Sequence, residues 1–420
     1  VSALAPRPGT QLVSELLADG GTRAVYQPIV SLPDRGVVAY ESLARGPKGS
    51  PLETPGAMFG AAAREGLVGE LDLACRMAAL RGALDGGLRP PAALLINVEP
   101  DQLDVPVPAA DAPLLRRAED ELTLIAEITE RRLADRPAEL LRAVAALRTQ
   151  GWGIALDDVG VDWRSLAMMP FLRPDLVKLD MRLVQDPYGP DAASVVRAVR
   201  AYADSSGAEV LAEGIETEEH ERRAISYGAT LGQGWLYGRP KPLDEQPGDA
   251  AVATRGVVAR PALVGSRTPV EVAEDAGARF DVAPKGALLA HSVAIERRAI
   301  ADPDPVVVFG TFQSAERFTP ATARRYAALA QRAAFVGAFG VGMGPAPVRG
   351  VRGGGLQDND QLAGEWNVLV VGPHQAAGLI ARDLGDTGPD MERRFSHTLI
   401  EDRELVLHAA RSLMLRIAGG

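Results

Sequence analysis

Gly153-Ile154-Ala155-Leu156-Asp157-Asp158 is a short apolar run that ends on two carboxylates, and Leu176-Val177-Lys178-Leu179 is a second run carrying one lysine. Both read as buried strands, and both belong to a series. Outward from them, the candidate strands are Arg23–Val30, Val37–Ala44, Ala93–Val98, Leu122–Ile128, Gly153–Asp157, Leu176–Leu179, Ala208–Ala212 and Thr230–Trp235. Helical patterns alternate with them. After Asp135, a candidate N-cap with Pro137 in the first turn, Leu140, Leu141, Val144 and Leu147 recur at helical spacing. Val195, Val196, Val199 and Tyr202 do the same before Gly207, which suits a helix end. Strands joined by helical crossovers in this number predict a parallel, closed (β/α)8 TIM-type barrel rather than an open sheet.

A chain of 420 residues is long for one core, so a second domain is expected. The Pro-, Gly- and Ala-rich stretch from Gln246 to Pro261 marks the boundary. The expected division is a barrel over 10–245, a linker over 246–265 and a smaller α/β domain over 266–420. In the last, Val306–Phe312, Val336–Val341 and Trp366–Val371 read as strands. Thr319–Ala334, His374–Leu384 and Asp402–Ile417 read as helices, the final one with Leu405, Ala409, Leu413 and Ile417 on one face. Arg349–Gly355 lacks the Gly-Lys-Ser/Thr ending of a phosphate-binding loop and reads as a flexible connection. His291, His374, His397 and His408 are scattered and read as structural or surface residues.

Composition narrows the function. A net charge of −10 argues against binding to a nucleic-acid polymer, which needs a basic face. No apolar run is long enough to span a bilayer, and Val1 to Pro8 lack the pattern of a secretory signal. Cys75 is the single cysteine, so no internal disulfide or cysteine zinc site can form, and a reducing cytoplasm fits best.

The polar residues near strand ends carry the chemistry. Glu41, Asn97, Glu127, Asp157, Asp158, Lys178, Glu213 and Gln233 fall at or near the ends of the second to eighth candidate strands, positions that share one rim of a barrel. A lone Asp there is commonly a helix cap and a lone Glu a solvated side chain. A set on successive strands is different, because two unit charges about 4 Å apart repel by roughly 4 kcal/mol at an effective dielectric of 20. Several carboxylates around one opening call for cations among them. Oxygen donors select hard ions, so magnesium, manganese or calcium fit better than zinc. Adjacent Asp157 and Asp158 can serve two ions, an arrangement suited to attack of water on phosphorus. Lys178, in an otherwise apolar strand, can hold the attacking water or a phosphate oxygen.

In this order the motifs resemble the EAL-domain cyclic di-GMP phosphodiesterases over Gln11 to Pro240. They are Tyr26-Gln27-Pro28-Ile29-Val30, Glu41-Ser42-Leu43-Ala44-Arg45, Ile96-Asn97-Val98, Glu127-Ile128-Thr129-Glu130, Asp157-Asp158-Val159-Gly160, Val177-Lys178-Leu179-Asp180, Ala212-Glu213-Gly214-Ile215-Glu216-Thr217 and Gln233-Gly234-Trp235-Leu236. The signature triplet reads Glu41-Ser42-Leu43 in place of Glu-Ala-Leu. The resemblance implies that Glu41, Asn97, Glu127, Asp157, Asp158 and Glu213 hold two ions, Mg2+ or Mn2+. It implies that Lys178 orients the water and that Glu213 is the general base. Gln27, Arg45 and Gln233 match positions facing the dinucleotide, and Glu130 and Glu216 match positions that support the site. The reaction implied is hydrolysis of cyclic di-GMP to linear pGpG, by a protein whose relatives are often homodimers.

One departure stands out. The family's loop Asp-Asp-Phe-Gly-Thr-Gly-Tyr-Ser-Ser is here Asp157-Asp158-Val159-Gly160-Val161-Asp162-Trp163-Arg164-Ser165. It favours a second reading, a receptor that binds cyclic di-GMP without cutting it. From about Ser266 the chain resembles the DICT sensory domain, more loosely. The residues that carry this include Asp304-Pro305-Val306-Val307-Val308-Phe309, Glu365-Trp366-Asn367-Val368 and Glu401-Asp402-Arg403-Glu404-Leu405-Val406. The resemblance implies regulation by a signal it does not name. The expected fold is therefore α/β, a TIM-type barrel followed by a smaller α/β sensory domain.

Overall fold

The computed structural model describes residues 12–99, 105–129, 136–162, 166–186, 192–246 and 267–417. Eight strands close into a barrel in sequence order. They are β1 (Arg23–Ser31), β2 (Val37–Arg45), β3 (Ala93–Asn97), β4 (Thr123–Thr129), β5 (Gly153–Val159), β6 (Leu176–Leu179), β7 (Glu209–Ala212) and β8 (Leu231–Gln233).

The all-parallel expectation fails at one strand. β1 runs antiparallel to both β2 and β8, while the remaining neighbours are parallel. The reason is length. Only residues 32–36 separate β1 from β2, too few for the dozen or so residues of a crossover. They close instead as a turn in which Arg35 takes a left-handed φ of 58° and the Gly36 N–H donates to Asp34 Oδ1 at 3.0 Å.

Helices surround the barrel where the spacing placed them. Pro137–Thr149 buries Leu140, Leu141, Val144 and Leu147, with Arg136 rather than Asp135 at its N-cap; Asp135 lies outside the described residues. Ala192–Ser206 buries Val195, Val199 and Tyr202, and Gly207 follows it at a left-handed φ of 71°. The linker expected over 246–265 falls, apart from Gln246, outside the described residues.

The second region forms one mixed seven-stranded sheet, ordered β12-β11-β10-β13-β14-β15-β9. Its strands are β9 (Asp281–Pro284), β10 (Val307–Ser314), β11 (Phe335–Val341), β12 (Arg352–Leu356), β13 (Glu365–Val371), β14 (Ala376–Asp383) and β15 (Arg394–Ile400). Helices Lys285–Ala301 and Pro320–Ala330 cover one face, and Arg403–Met414 covers the other. Two expectations are overturned. His374–Leu384 is not a helix: Ala376–Asp383 is a strand held between β13 and β15 by antiparallel ladders, so tertiary pairing overrides its alanines. Arg349–Gly355 is not a flexible loop, because Arg352–Leu356 pairs in parallel with β11. Its glycines answer to close approach. A Cβ at Gly353 would lie 1.8 Å from the Gly344 carbonyl oxygen, and one at Gly354 would meet the Phe339 ring at 2.3 Å.

Candidate active site

Strand side chains alternate between faces, so residues two apart share the barrel interior. One interior cluster is apolar: Ile29, Ala39, Ala93, Leu95, Ile125, Ala155, Leu176, Leu211 and Leu231. Two residues further along their strands stand Glu41, Asn97, Glu127, Asp157, Lys178, Glu213 and Gln233. On β1, which runs the other way, Gln27 precedes Ile29 by the same step, and it pairs in register with Glu41. An apolar plug thus carries a polar layer toward one mouth.

Lys178 is the centre of that layer, with no exposed surface. Its Nζ lies 2.7 Å from Glu127 Oε1, 2.8 Å from Glu213 Oε1, 2.9 Å from Asp157 Oδ1 and 3.7 Å from Glu41 Oε1. Burial alone would strip its proton, but Glu127, Glu213, Glu41 and Asp157 together outweigh that and hold the ammonium charged. The carboxylates feel the converse. Burial, reinforced by Glu41, pushes Glu127 well above the usual range against the pull of Lys178. Burial likewise pushes Glu213 up to about 8, with Asp157 and Glu41 adding to it. Asn97 Nδ2 donates to Glu127 Oε2 at 3.0 Å. Gln233 Nε2 donates to Glu41 and, at 3.2 Å, to Gln27 Oε1.

Adjacent residues of a regular strand face opposite ways, yet Asp157 and Asp158 act on one side. The β5–β6 register slips between Leu156 and Val159, and Asp158 takes a left-handed φ of 60°. This bulge re-aims the second aspartate. Carboxylate oxygens of Asp157, Asp158 and Glu213 consequently lie within 4.8 Å of one another, close enough for a shared cation. Aspartate is among the few non-glycine residues that tolerate this conformation. Gly160 follows at φ 112°, where a Cβ would strike Leu183 at 2.6 Å.

The donor set fits divalent metal. Five carboxylates face one lysine among the described residues, and all other donors are amides. The charge left over is negative, and hard oxygen ligands match a hard divalent cation.

Other expected residues stand further out. Arg45 ends β2 half-buried, with its Nη1 donating to the Ala44 carbonyl at 2.8 Å. Glu216 is exposed, and its backbone N–H donates to His220 Nδ1 at 3.3 Å. Glu130 and residues 163–165 of the altered loop lie outside the described residues. The serine of Glu41-Ser42-Leu43 is buried and ties β2 to β3, its hydroxyl donating to the Leu95 carbonyl at 2.9 Å.

Residues 11–240, more than half of the chain, match the family profile of the EAL domain. The chain belongs to the EAL-domain family. Residues 270–384 match the DICT domain, described as a sensory domain in diguanylate cyclases and two-component systems. Among curated relatives, the EAL region is 33% identical over 234 residues to the cyclic di-GMP phosphodiesterase RocR of Pseudomonas aeruginosa, covering 54% of this chain and 59% of that protein. It is 32% identical to the bifunctional diguanylate cyclase/cyclic di-GMP phosphodiesterase MucR of the same organism, covering 52% of this chain and 33% of that protein. Neither relative is spanned over two thirds of its length. A solved structure of PaMucR phosphodiesterase as its c-di-GMP complex is 27% identical with a TM-score of 0.47, covering 55% of this chain and 96% of that one. No described helix is long and apolar enough to cross a membrane.

The EAL barrel also holds residues that sequence reasoning passed over. A cavity of about 250 Å³ adjoins Asn97 and Glu127 and is lined by Pro55, Phe59, Asp72 and Arg76. Arg76 Nε lies 2.9 Å from Asp72 Oδ2, and burial pushes the Asp72 carboxyl up to about 6 against that pairing. Their four-residue spacing on a helix was the available signal. Trp235, just past β8, is half exposed with the Arg239 guanidinium 3.9 Å above its ring.

Proposed function

We propose that the EAL barrel hydrolyses cyclic di-GMP to linear pGpG with divalent metal, and that the DICT domain regulates it. One observation carries the catalytic reading: a fully buried lysine within 2.9 Å of three carboxylates that rise from three separate strands over an apolar plug. Holding such a group costs folding free energy unless a cationic ligand repays it, which marks a working site. The relatives' activity supplies the substrate.

Glu41, Asn97, Glu127, Asp157, Asp158 and Glu213 would hold Mg2+ or Mn2+. The ions would supply Lewis-acid neutralisation of charge building on the phosphate oxygens. The Lys178 ammonium spends its three N–H groups on Glu127, Glu213 and Asp157 here, and would hold the attacking water once metal draws carboxylates away from it. Glu213 would accept the water's proton as the new P–O bond forms. The P–O3′ bond breaks, and the departing 3′-oxygen takes up a proton from bulk water while Glu213 later returns its own to solvent. Gln27, Gln233 and Arg45 face the substrate, Arg45 offering the planar fork of donors that suits phosphate.

Incubation with cyclic di-GMP and Mg2+ or Mn2+ tests this. The expected product is pGpG, and Glu41→Ala should slow its formation by about 100-fold or more, the scale of losing one electrostatic stabiliser. Full turnover in Glu213→Ala would remove Glu213 as base. Tight binding with no product would make the protein a receptor, the reading that the altered loop favours.

The route for regulation is a buried contact between domains. Arg411, on helix Arg403–Met414, donates to the Phe171 carbonyl on the short helix Met169–Leu172, which sits between β5 and β6. Burial lowers its guanidinium to about 10, with Arg173 and Arg148 adding to the effect. Arg142 reaches the Leu415 carbonyl at 2.9 Å beside it. Strands β5 and β6 carry Asp157, Asp158 and Lys178, so movement of Met169–Leu172 reaches the catalytic layer. Arg411→Ala should change the turnover rate at least several-fold, read as pGpG formation by the full chain, while Arg298→Ala, which removes an exposed ion pair with Glu401 at 3.3 Å, should not. Equal rates for both variants would exclude this route.

A further inference from the structure

The face of the second sheet that points away from Arg403–Met414 holds a cavity of about 260 Å³, lined by residues of helices Lys285–Ala301 and Pro320–Ala330 and of strands β10, β13 and β15. Its walls and its mouth differ in chemistry. Phe312, Trp366 and Phe395 line it. Trp366 and Phe395 meet edge to face at 5.6 Å, and Phe312 meets Tyr326 the same way at 5.2 Å. The charged residues lining it are all cations, Lys285, Arg317 and Arg325.

The charges around the mouth do not balance. Asp390 is shared by Lys285, by Arg317 at 3.1 Å and by Arg393 at 3.4 Å. Arg393 also pairs with Asp383, and Arg325 with Glu296 at 2.6 Å. These contacts join four cations to three carboxylates, so one positive charge is left over within the network. Two side chains here are also fixed in place. Gln313 sits on the cavity wall in a left-handed conformation, φ 61°, with its Nε2 on Asp383 Oδ2 at 2.9 Å. Such a φ is uncommon for glutamine and persists only where the surroundings enforce it. Thr322 is buried on the wall, with its hydroxyl 3.2 Å from that of Thr319.

We propose that this cavity is a binding site for a small planar aromatic carboxylate. Aromatic edges and faces recognise a flat ring. The arginines at the mouth present planar forks that match a carboxylate, and the excess of one positive charge matches a monoanion. The volume is below the 300 Å³ or so at which drug-sized ligands begin. One or two fused rings bearing the acid fill it. The assignment rests on the second domain alone and stands whether or not the barrel hydrolyses its substrate.

Calorimetric titration of the full chain with benzoate, 2-naphthoate and indole-3-carboxylate, each against its carboxamide and against cyclohexanecarboxylate, tests it. At least one aromatic acid should bind with a submillimolar dissociation constant, and its amide and the saturated acid should bind at least tenfold more weakly. Ala321 is an exposed position on the cavity wall, so Ala321→Phe should block the site without unfolding the domain. Arg317→Met should weaken the acid at least fivefold and leave the amide unchanged. No binding by any acid up to several millimolar overturns the proposal. So does equal binding of acid and amide, or unchanged binding to both Ala321→Phe and Arg317→Met, which would place the ligand elsewhere.

Discussion

Lys178→Met is expected to destabilise the metal-free protein by about 3–5 kcal/mol, the usual cost of breaking a buried ion pair by removing one partner. Methionine nearly conserves the volume of the side chain, so the loss is one of charge rather than of cavity filling. Glu127, Glu213 and Asp157, each within 2.9 Å of the missing ammonium, would be left facing one another across the barrel mouth. To fold, the variant must take up protons or cations in place of the lysine. Urea unfolding with a chelator present, repeated with millimolar Mg2+ or Mn2+, checks both halves. The metal should restore a good part of the lost stability. Turnover should fall by about 100-fold or more even in the metal-bound variant, because the group proposed to hold the water is gone. A metal-free variant within about 1 kcal/mol of the parent would show that the carboxylates do not depend on Lys178 for their place.

How much of this was legible follows from which residues report locally. Seven of the polar residues lie two steps beyond an apolar interior position on the same strand, and period two is a pattern that sequence displays. Leu176-Val177-Lys178-Leu179 betrayed its lysine because nothing else in the run was polar. The direction of β1 is signalled only by the short span of residues 32–36 before β2, and the regular alternation of the later strands and helices masks it. The bulge that aims Asp158 inward was out of reach, since it depends on the offset between β5 and β6. In the second domain the errors share one cause. Ala376–Asp383 is rich in residues at home in a helix, and Gly353 to Gly355 are glycines suited to a loop; both became strands through partners remote in the chain. Neither the two-residue period nor the helical one reports such partners. The aromatic and cationic groups of the second cavity come from six separate elements, so no local spacing announced them.

Metal-free protein should lose stability steadily as pH rises from about 5 to about 8, opposite to the ordinary behaviour of paired carboxylates. Glu213 in the folded state titrates at about 8, against 4.5 for an unperturbed glutamate. Between those values the native site keeps a proton that the unfolded chain has released. Stability therefore falls with pH, by up to about 1.4 kcal/mol per pH unit for one such group. The contribution is fully present below the unfolded value and is lost as pH rises through the folded one. Glu127 is raised as well, for the same causes of burial and a neighbouring Glu41, and steepens the slope. Metal ions compete with those protons, so their affinity should climb over the same interval. With saturating Mg2+ or Mn2+ the melting temperature should stay level or rise between pH 5 and 8. Glu213→Gln, which carries no titrating proton, should flatten the metal-free slope by about one proton's worth. A metal-free melting temperature that climbs over this range would mean that the carboxylates are already ionised without metal. Metal would then displace no proton on binding, and its affinity should not climb over this interval.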